Sequence, residues 1–297
     1  MVGESPAMWK LRESLAAFAR TNFHVLITGE SGSGKELAAQ ALHRMSGRAA
    51  QRMISDNIAT IPASLAAALL FGNRRNFPNP GMEERAGLIG AAHQSTLFLD
   101  EIGDMPEEVQ PMFLRVTERG GEYFRLGEEH RPLRSDFRLV GATNRPQRLR
   151  HELKRRFQRE IHLTSLNERR EDIPLLIDSI LKLQAQRDDT GITRFMRDGQ
   201  PQIHPLLIEQ LVRHHYSTNV SEVGFLLGQA MAESPHDVIS RCEPGPRYGS
   251  APEVASGASA SSGKRESGRS IPRSLPTRER AEQVLLEQGG DVTRSAA

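Results

Sequence analysis

Cysteine is nearly missing from this 297-residue chain. The one present, Cys242, excludes a disulfide framework and a cysteine-based zinc site, and fits a reducing compartment. Aromatics make up only 5%, and the single tryptophan, Trp9, has nothing beside it that suggests more than packing. No apolar run approaches the roughly 18 residues needed to cross a bilayer. The first ten residues also lack the basic-then-apolar order of a signal peptide. An excess of either charge is absent too, with 39 Lys and Arg against 37 Asp and Glu, a net +2. That balance is an average. Residues 241–280 hold eight basic and four acidic side chains, +4 locally, which leaves −2 for the rest. There is no tandem repeat. At 37% hydrophobic the chain can still bury a real core, and its length suits one large or two small domains of about 150 residues.

Through residue 168, short β-rich apolar runs alternate with helical stretches, the pattern of an α/β fold with a parallel sheet. The runs cover 23–28, 95–99, 137–142 and 161–166, with a weaker one over 53–58. Residues 106–117 read as a helix with proline in its first turn. From Glu171 the period becomes helical, through Ile173, Leu176, Ile177, Ile180 and Leu181, and again through Leu207, Ile208 and Leu211. Asn219 starts a further helix with Val220, Val223, Leu226 and Leu227 on one face. The division expected is a sheet subdomain over 1–168 and a smaller all-helical lid over 169–240. Residues 241–277 are too poor in branched aliphatics to offset ordering entropy by burial, and read as a flexible basic linker. Residues 278–297 hold one short helix, a Gly289-Gly290 break and the opening of another helix.

Three strand ends carry the chemistry. The first apolar run feeds Gly29-Glu30-Ser31-Gly32-Ser33-Gly34-Lys35-Glu36 and then a helical stretch. Strand, glycine-rich loop and helix together make a P-loop, in which backbone amides cradle phosphates and Lys35 reaches the β- and γ-phosphates. The general pattern has Ser or Thr after the lysine to ligate Mg²⁺; here Glu36 stands there. The run over 95–99 ends in Asp100 and Glu101. At the carboxyl end of a parallel strand these lie beside the P-loop, where Asp100 can hold Mg²⁺ through water and Glu101 can polarise an attacking water. The run over 137–142 ends near Asn144, a γ-phosphate sensor or, more plainly, a strand-end cap. His214-His215 has no third ligand nearby in sequence, so a metal site there is not indicated.

Residues 29–36, Thr96-Leu-Phe-Leu-Asp-Glu-Ile-Gly-Asp104, Ala142-Thr-Asn144 and Glu168-Arg-Arg-Glu-Asp-Ile-Pro174 closely resemble the central AAA+ domain of bacterial enhancer-binding proteins, the ATPases that remodel sigma-54 RNA polymerase. The resemblance runs from residue 1 to about 235. It implies a Mg²⁺-ATP hydrolysing, cytoplasmic transcription regulator. Within it Glu36 is the usual residue, and Val2 and Gly3 lie near the adenine. It also implies that Asn57 is the switch asparagine holding catalytic Glu101, and that Arg150 and Arg156 are arginine fingers donated to a neighbour's site. Such fingers imply a ring, most simply a hexamer, and are typically worth about 10³–10⁵ in rate. The plainer alternative for the arginines is a solvated basic face, since Arg145, Arg148, Lys154, Arg155 and Arg159 crowd the same stretch.

The chain departs from the family at two functional places. The loop that grips the sigma factor reads Gly-Ala-Phe-Thr-Gly-Ala in the family. Here Asn76, Phe77, Pro78, Asn79, Pro80 and Gly81 stand in its place, with prolines stiffening it. Either Phe77 still supplies an aromatic contact to sigma-54, or the loop no longer engages it and the protein is a nucleotide-gated, ring-forming binding module. The lid arginine that senses nucleotide is Ser221, and a hydroxyl cannot reproduce a guanidinium's bidentate phosphate contact, so weaker lid coupling is expected. The last residues resemble the start of a Fis-type helix-turn-helix without its recognition helix, so DNA reading would need the complete motif. The expectation is that this is a fragment or a truncated product.

Overall fold

The structure, a computed structural model, describes residues 1–77, 79–118, 121–128, 130–186 and 191–240. The expected linker, the half-motif after it, Cys242 and Pro78 lie outside the described residues. The described residues all fall within one compact unit, Met1–Glu243.

Ser5 opens α1 (Pro6–Ala19): its hydroxyl accepts from the Met8 amide, and Pro6 brings a helical φ where no donor is needed. Met8, Leu11, Leu15 and Ala19 form its buried stripe. β1 (Val25–Thr28), buried throughout, passes through the glycine loop into α2 (Lys35–Arg44). Then come β2 (Ile54–Asn57), α3 (Ala63–Phe71), α4 (Gly87–Ala91) and β3 (Thr96–Asp100). The next helix, α5 (Gln110–Val116), is shorter than the span expected over 106–117. Pro111 has no amide to donate to residue 107, so the regular ladder cannot run through from Pro106. Pro106 sits instead in a turn, its carbonyl accepting from Val109 and Gln110. β4 (Glu122–Tyr123) and β5 (Leu133–Arg134) make a short antiparallel pair. β6 (Arg138–Thr143), α6 (His151–Lys154) and β7 (Arg159–His162) follow. β7 stops short of the expected residue 166 because Ser165 caps a 3₁₀ turn over Leu166–Glu168.

Five strands form one parallel sheet in the order β2-β3-β6-β1-β7. Apolar clusters cover both faces, one around Leu97, Leu99, Phe71 and Phe113, the other around Val25, Ile27, Val140 and the stripe of α1. Arg138, fully buried at the start of β6, donates to the carbonyls of Phe18 and Phe23 at 2.8 and 3.1 Å and so ties the end of α1 to the sheet. Burial, and then Arg48, lower its pKa to about 10, so it stays charged at neutral pH.

The chain continues through α7 (Ile173–Gln186), β8 (Met196–Arg197), β9 (Gln200–Pro201), α8 (Pro205–Arg213) and α9 (Asn219–Glu233). Their apolar faces meet in a third cluster around Leu166, Ile177, Leu207, Tyr216 and Leu227. The expectation of an all-helical lid misses the β8–β9 hairpin. Its turn is Asp198-Gly199, both with positive φ (52° and 74°), the conformation a two-residue hairpin turn needs.

Candidate nucleotide site

The carboxyl ends of the parallel strands converge on the glycine loop, the edge where open α/β sheets bind ligands. Asn57 pairs with Asp100 across β2–β3, and Thr28 with Thr143 across β1–β6. Gly29, Gly32 and Gly34 all have positive φ, and the loop ends at the N-terminus of α2, where an anion is favoured. A Cβ on Gly32 would lie 2.0 Å from the Thr218 carbonyl oxygen, so only glycine fits between loop and lid there.

Lys35 is nearly buried, and its Nζ donates to the carbonyls of Gly29 (3.2 Å) and Glu30 (3.3 Å) while lying 3.6 Å from Glu101 Oε1. The loop lysine and the strand-end acid are thus brought together. Glu101 has a left-handed backbone (φ 47°), and its amide donates to Asp100 Oδ1 at 3.0 Å. Such strain away from glycine marks a position that the surroundings over-determine. Asn144 also reaches Glu101, through its backbone amide at 3.3 Å to Oε2. Asp104, just beyond, pairs with Arg148 and lies 3.5 Å from Arg145.

Other expected residues are placed differently. The carboxamide of Asn57 accepts from the Ala59 amide at 2.9 Å and makes no hydrogen bond to Glu101 among the described residues. Glu36 is exposed and accepts from Gln40 one turn along α2 at 3.2 Å. Arg156 pairs with Glu118 of its own chain, whereas the exposed guanidinium of Arg150 has no ion pair among the described residues. Val2 packs against the third apolar cluster, and Gly3, with φ 130°, lies against Asp172 and Met8. Glu30 Oε2 accepts from Asn219 Nδ2 at 3.0 Å, with Ser165 Oγ at 3.1 Å.

The substituted loop is closed on itself. The Asn73 side chain donates to the carbonyls of Arg74, Phe77 and Glu83, and Asn76, at φ 62°, accepts at its side chain from the Gly81 amide. Asn79 and Pro80 are exposed between them. A Cβ on Gly127 would meet the Phe77 ring at 2.5 Å, so the ring lies over that glycine's backbone.

Four further residues shape the site, two of them, Arg169 and Asp172, within the 168–174 motif. Asp172, fully buried, accepts from the amides of Glu4 and Ser5 (2.7 and 2.8 Å) and the Ser5 hydroxyl (2.7 Å), pinning the N-terminal segment beside the loop. Arg169, also buried, lies 4.0 Å from Asp172 and donates to the Ser33 carbonyl at 3.4 Å. Asn219 reads in sequence as the start of a helix and as part of the lid signature that holds Ser221, with no role of its own. Glu222 accepts from His214 Nε2 (2.8 Å) and the Ser217 and Thr218 amides (2.7 and 2.9 Å), which fixes the turn before α9. Burial pushes its carboxyl up, but bonds from His214, Thr218 and Ser217 outweigh that and hold it at about 2, against 4.5 ordinarily.

The residues suit a nucleoside phosphate. The buried Ser33 hydroxyl has no partner, and the positive-φ glycines form a cradle that side chains would fill. Among the described residues no three or more His, Cys, Asp or Glu gather as a metal cage. A Mg²⁺ held by one or two carboxylates and phosphate oxygens needs none, and Asp100 ends β3 at the same edge of the sheet as the loop.

A family model for the sigma-54 interaction domain matches residues 1–167. The chain is 35% identical over 251 residues to the DNA-binding transcriptional regulator NtrC of Rhizobium meliloti, covering 81% of this chain and 49% of that protein. It is 42% identical over 184 residues to the formate hydrogenlyase transcriptional activator FhlA of Escherichia coli, covering 59% of this chain and 26% of that one. It therefore spans half or less of these relatives' length. Among solved structures, NtrX from Brucella abortus in complex with ADP aligns with a TM-score of 0.72 at 25% identity, covering all of this chain and 66% of that one. The same protein in complex with ATP aligns at 0.67 and 26%, covering all of this chain and 65% of that one.

Proposed function

Because the chain belongs to the sigma-54 interaction domain family, we propose that it is an AAA+ ATPase that remodels sigma-54 RNA polymerase holoenzyme in the bacterial cytoplasm. One observation carries the ATPase reading: Lys35 Nζ lies 3.6 Å from Glu101 at the loop's mouth, with the Asn144 amide on the same carboxylate. The amides of Gly29, Glu30, Ser31, Gly32, Ser33 and Gly34 bind phosphate oxygens, and Lys35 exchanges its carbonyl partners for the β- and γ-phosphates. Asp100 would hold Mg²⁺ through water, and the ion would supply charge neutralisation on the phosphates. Glu101 accepts a proton from the attacking water, and its pairing with Lys35 orients it until phosphate arrives. Asn144 and Asn57 then report γ-phosphate; for Asn57 this requires its carboxamide to leave Ala59. Arg150 and Arg156 complete a neighbour's site in a hexameric ring, Arg156 after release from Glu118. Val2 and Gly3 line the adenine end. DNA contact would require a complete helix-turn-helix. No helix among the described residues is long and apolar enough to cross a membrane.

A second reading is favoured by the loop. With Phe77 laid on Gly127 and Asn73 tying three carbonyls, the chain is a nucleotide-gated, ring-forming module that does not engage sigma-54. Capture of purified sigma-54 by the protein with ADP–aluminium fluoride separates the two. Capture that Phe77→Ala abolishes supports remodelling through Asn76, Phe77, Pro78, Asn79, Pro80 and Gly81. No capture, in protein that hydrolyses ATP, leaves the module reading.

A further inference from the structure

The carbonyl edge of the phosphate loop is occupied from the lid side. Asn219 Nδ2 donates to the Ser31 carbonyl at 2.9 Å, the Val220 amide to the Gly32 carbonyl at 3.1 Å, and Arg169 Nη2 to the Ser33 carbonyl at 3.4 Å. Within a planar trans peptide the C=O and N–H point in opposite directions. Holding the carbonyls of residues 31–33 on the lid side therefore turns the amides of residues 32–34 the other way. Ser33's amide makes a 3.3 Å bond to the Glu30 carbonyl, and those of Gly32 and Gly34 have no other partner among the described residues.

Asn219 is built for this task. Its Oδ1 accepts from the Leu166 amide at 2.7 Å, an obligate donor, so its Nδ2 must face the Ser31 carbonyl, an obligate acceptor. The same Nδ2 lies 3.0 Å from Glu30 Oε2. The residue is fully buried and left-handed (φ 54°), a conformation asparagine tolerates better than most side chains. The next place but one along α9 holds Ser221, which cannot carry charge to a phosphate. What joins lid to loop in this chain is a set of hydrogen bonds to the loop carbonyls.

We propose that Asn219, with the Val220 amide and Arg169, is a positioning clamp that holds the loop carbonyls outward and so presents its amides to a nucleoside triphosphate, coupling lid to phosphate site without an arginine at position 221. This rests on the nucleotide-binding reading above. The test is titration of the full chain with a fluorescent, slowly hydrolysed ATP analogue, with thermal unfolding of each variant. Asn219→Asp keeps the acceptor for Leu166 but cannot donate to Ser31, and it sets a second carboxylate against Glu30. It should weaken binding about tenfold, the scale of one buried hydrogen bond lost. Adding Glu30→Gln relieves the repulsion between the two carboxylates without restoring a donor to the Ser31 carbonyl, so most of the tenfold loss should remain. Binding by Asn219→Asp equal to the unaltered protein overturns the clamp. So does a loss no larger than the fraction unfolded at the assay temperature, or a loss in folded protein that Glu30→Gln fully recovers, which assigns it to the facing carboxylates. If the unaltered chain binds no analogue, it is the nucleotide reading that fails.

Discussion

Replacing Glu222 with glutamine removes the charge that fixes the turn leading into α9. The carboxylate accepts the Ser217 and Thr218 amides and the Ser217 hydroxyl at 2.7, 2.9 and 3.0 Å and meets His214 Nε2 at 2.8 Å. Burial works against the charged form, yet those bonds bring its pKa from 4.5 to about 2. At face value that difference is worth about 3 kcal/mol. Part of the side chain faces solvent, which screens the interaction, so the expected cost of Glu222→Gln at pH 7 is about 2 kcal/mol. The sign follows from linkage: a carboxyl with a depressed folded pKa contributes fully above its unfolded value and loses that contribution as pH falls toward the folded one. The gap in stability between the unaltered protein and Glu222→Gln should therefore be constant from pH 7 to about 5. It should shrink from 4.5 toward 2, with about half gone by pH 3. Urea unfolding of both proteins across that range measures it. A gap that is as wide at pH 3 as at pH 7, or absent at pH 7, refutes the argument that charge-assisted bonds hold this turn.

Two further outcomes follow from the site. Gly32→Ala puts a Cβ 2.0 Å from the Thr218 carbonyl at φ +71°, so it should cost at least about 2 kcal/mol or force lid and loop apart; thermal unfolding and nucleotide titration together read this, and an unchanged pair of values contradicts it. Glu101→Gln should bind ATP with affinity close to the unaltered protein and turn over at least about tenfold more slowly; equal turnover removes Glu101 from the chemistry.

Local features of the chain are the legible ones. Residues 29–36 between an apolar run and a helical stretch mark the glycine loop, and Asp100-Glu101 after residues 95–99 mark the adjoining acids. Both depend on neighbours in sequence, and in space they meet at Lys35 and Glu101. What escapes depends on distant pairing. Asn219 reaches Ser31 across 188 residues and Asp172 reaches Ser5 across 167, and no periodicity reports contacts of that kind. Arg138 is hidden for a different reason: an arginine at a strand's start reads as exposed, while two carbonyls and burial hold it inside. The β8–β9 hairpin does have a local signal, Asp198-Gly199, masked by the helical period around it. The loop over 73–86 shows the limit of reading composition. Its prolines suggest stiffness, whereas the closure comes from the Asn73 side chain.

If ATP is hydrolysed at sites completed between subunits, with Arg150 supplied by a neighbour, the rate must depend on assembly. ATPase rate per chain, measured against protein concentration, reads this. The rate per chain should rise steeply as chains assemble. A measurable rate per chain that stays constant from dilute to concentrated protein contradicts it.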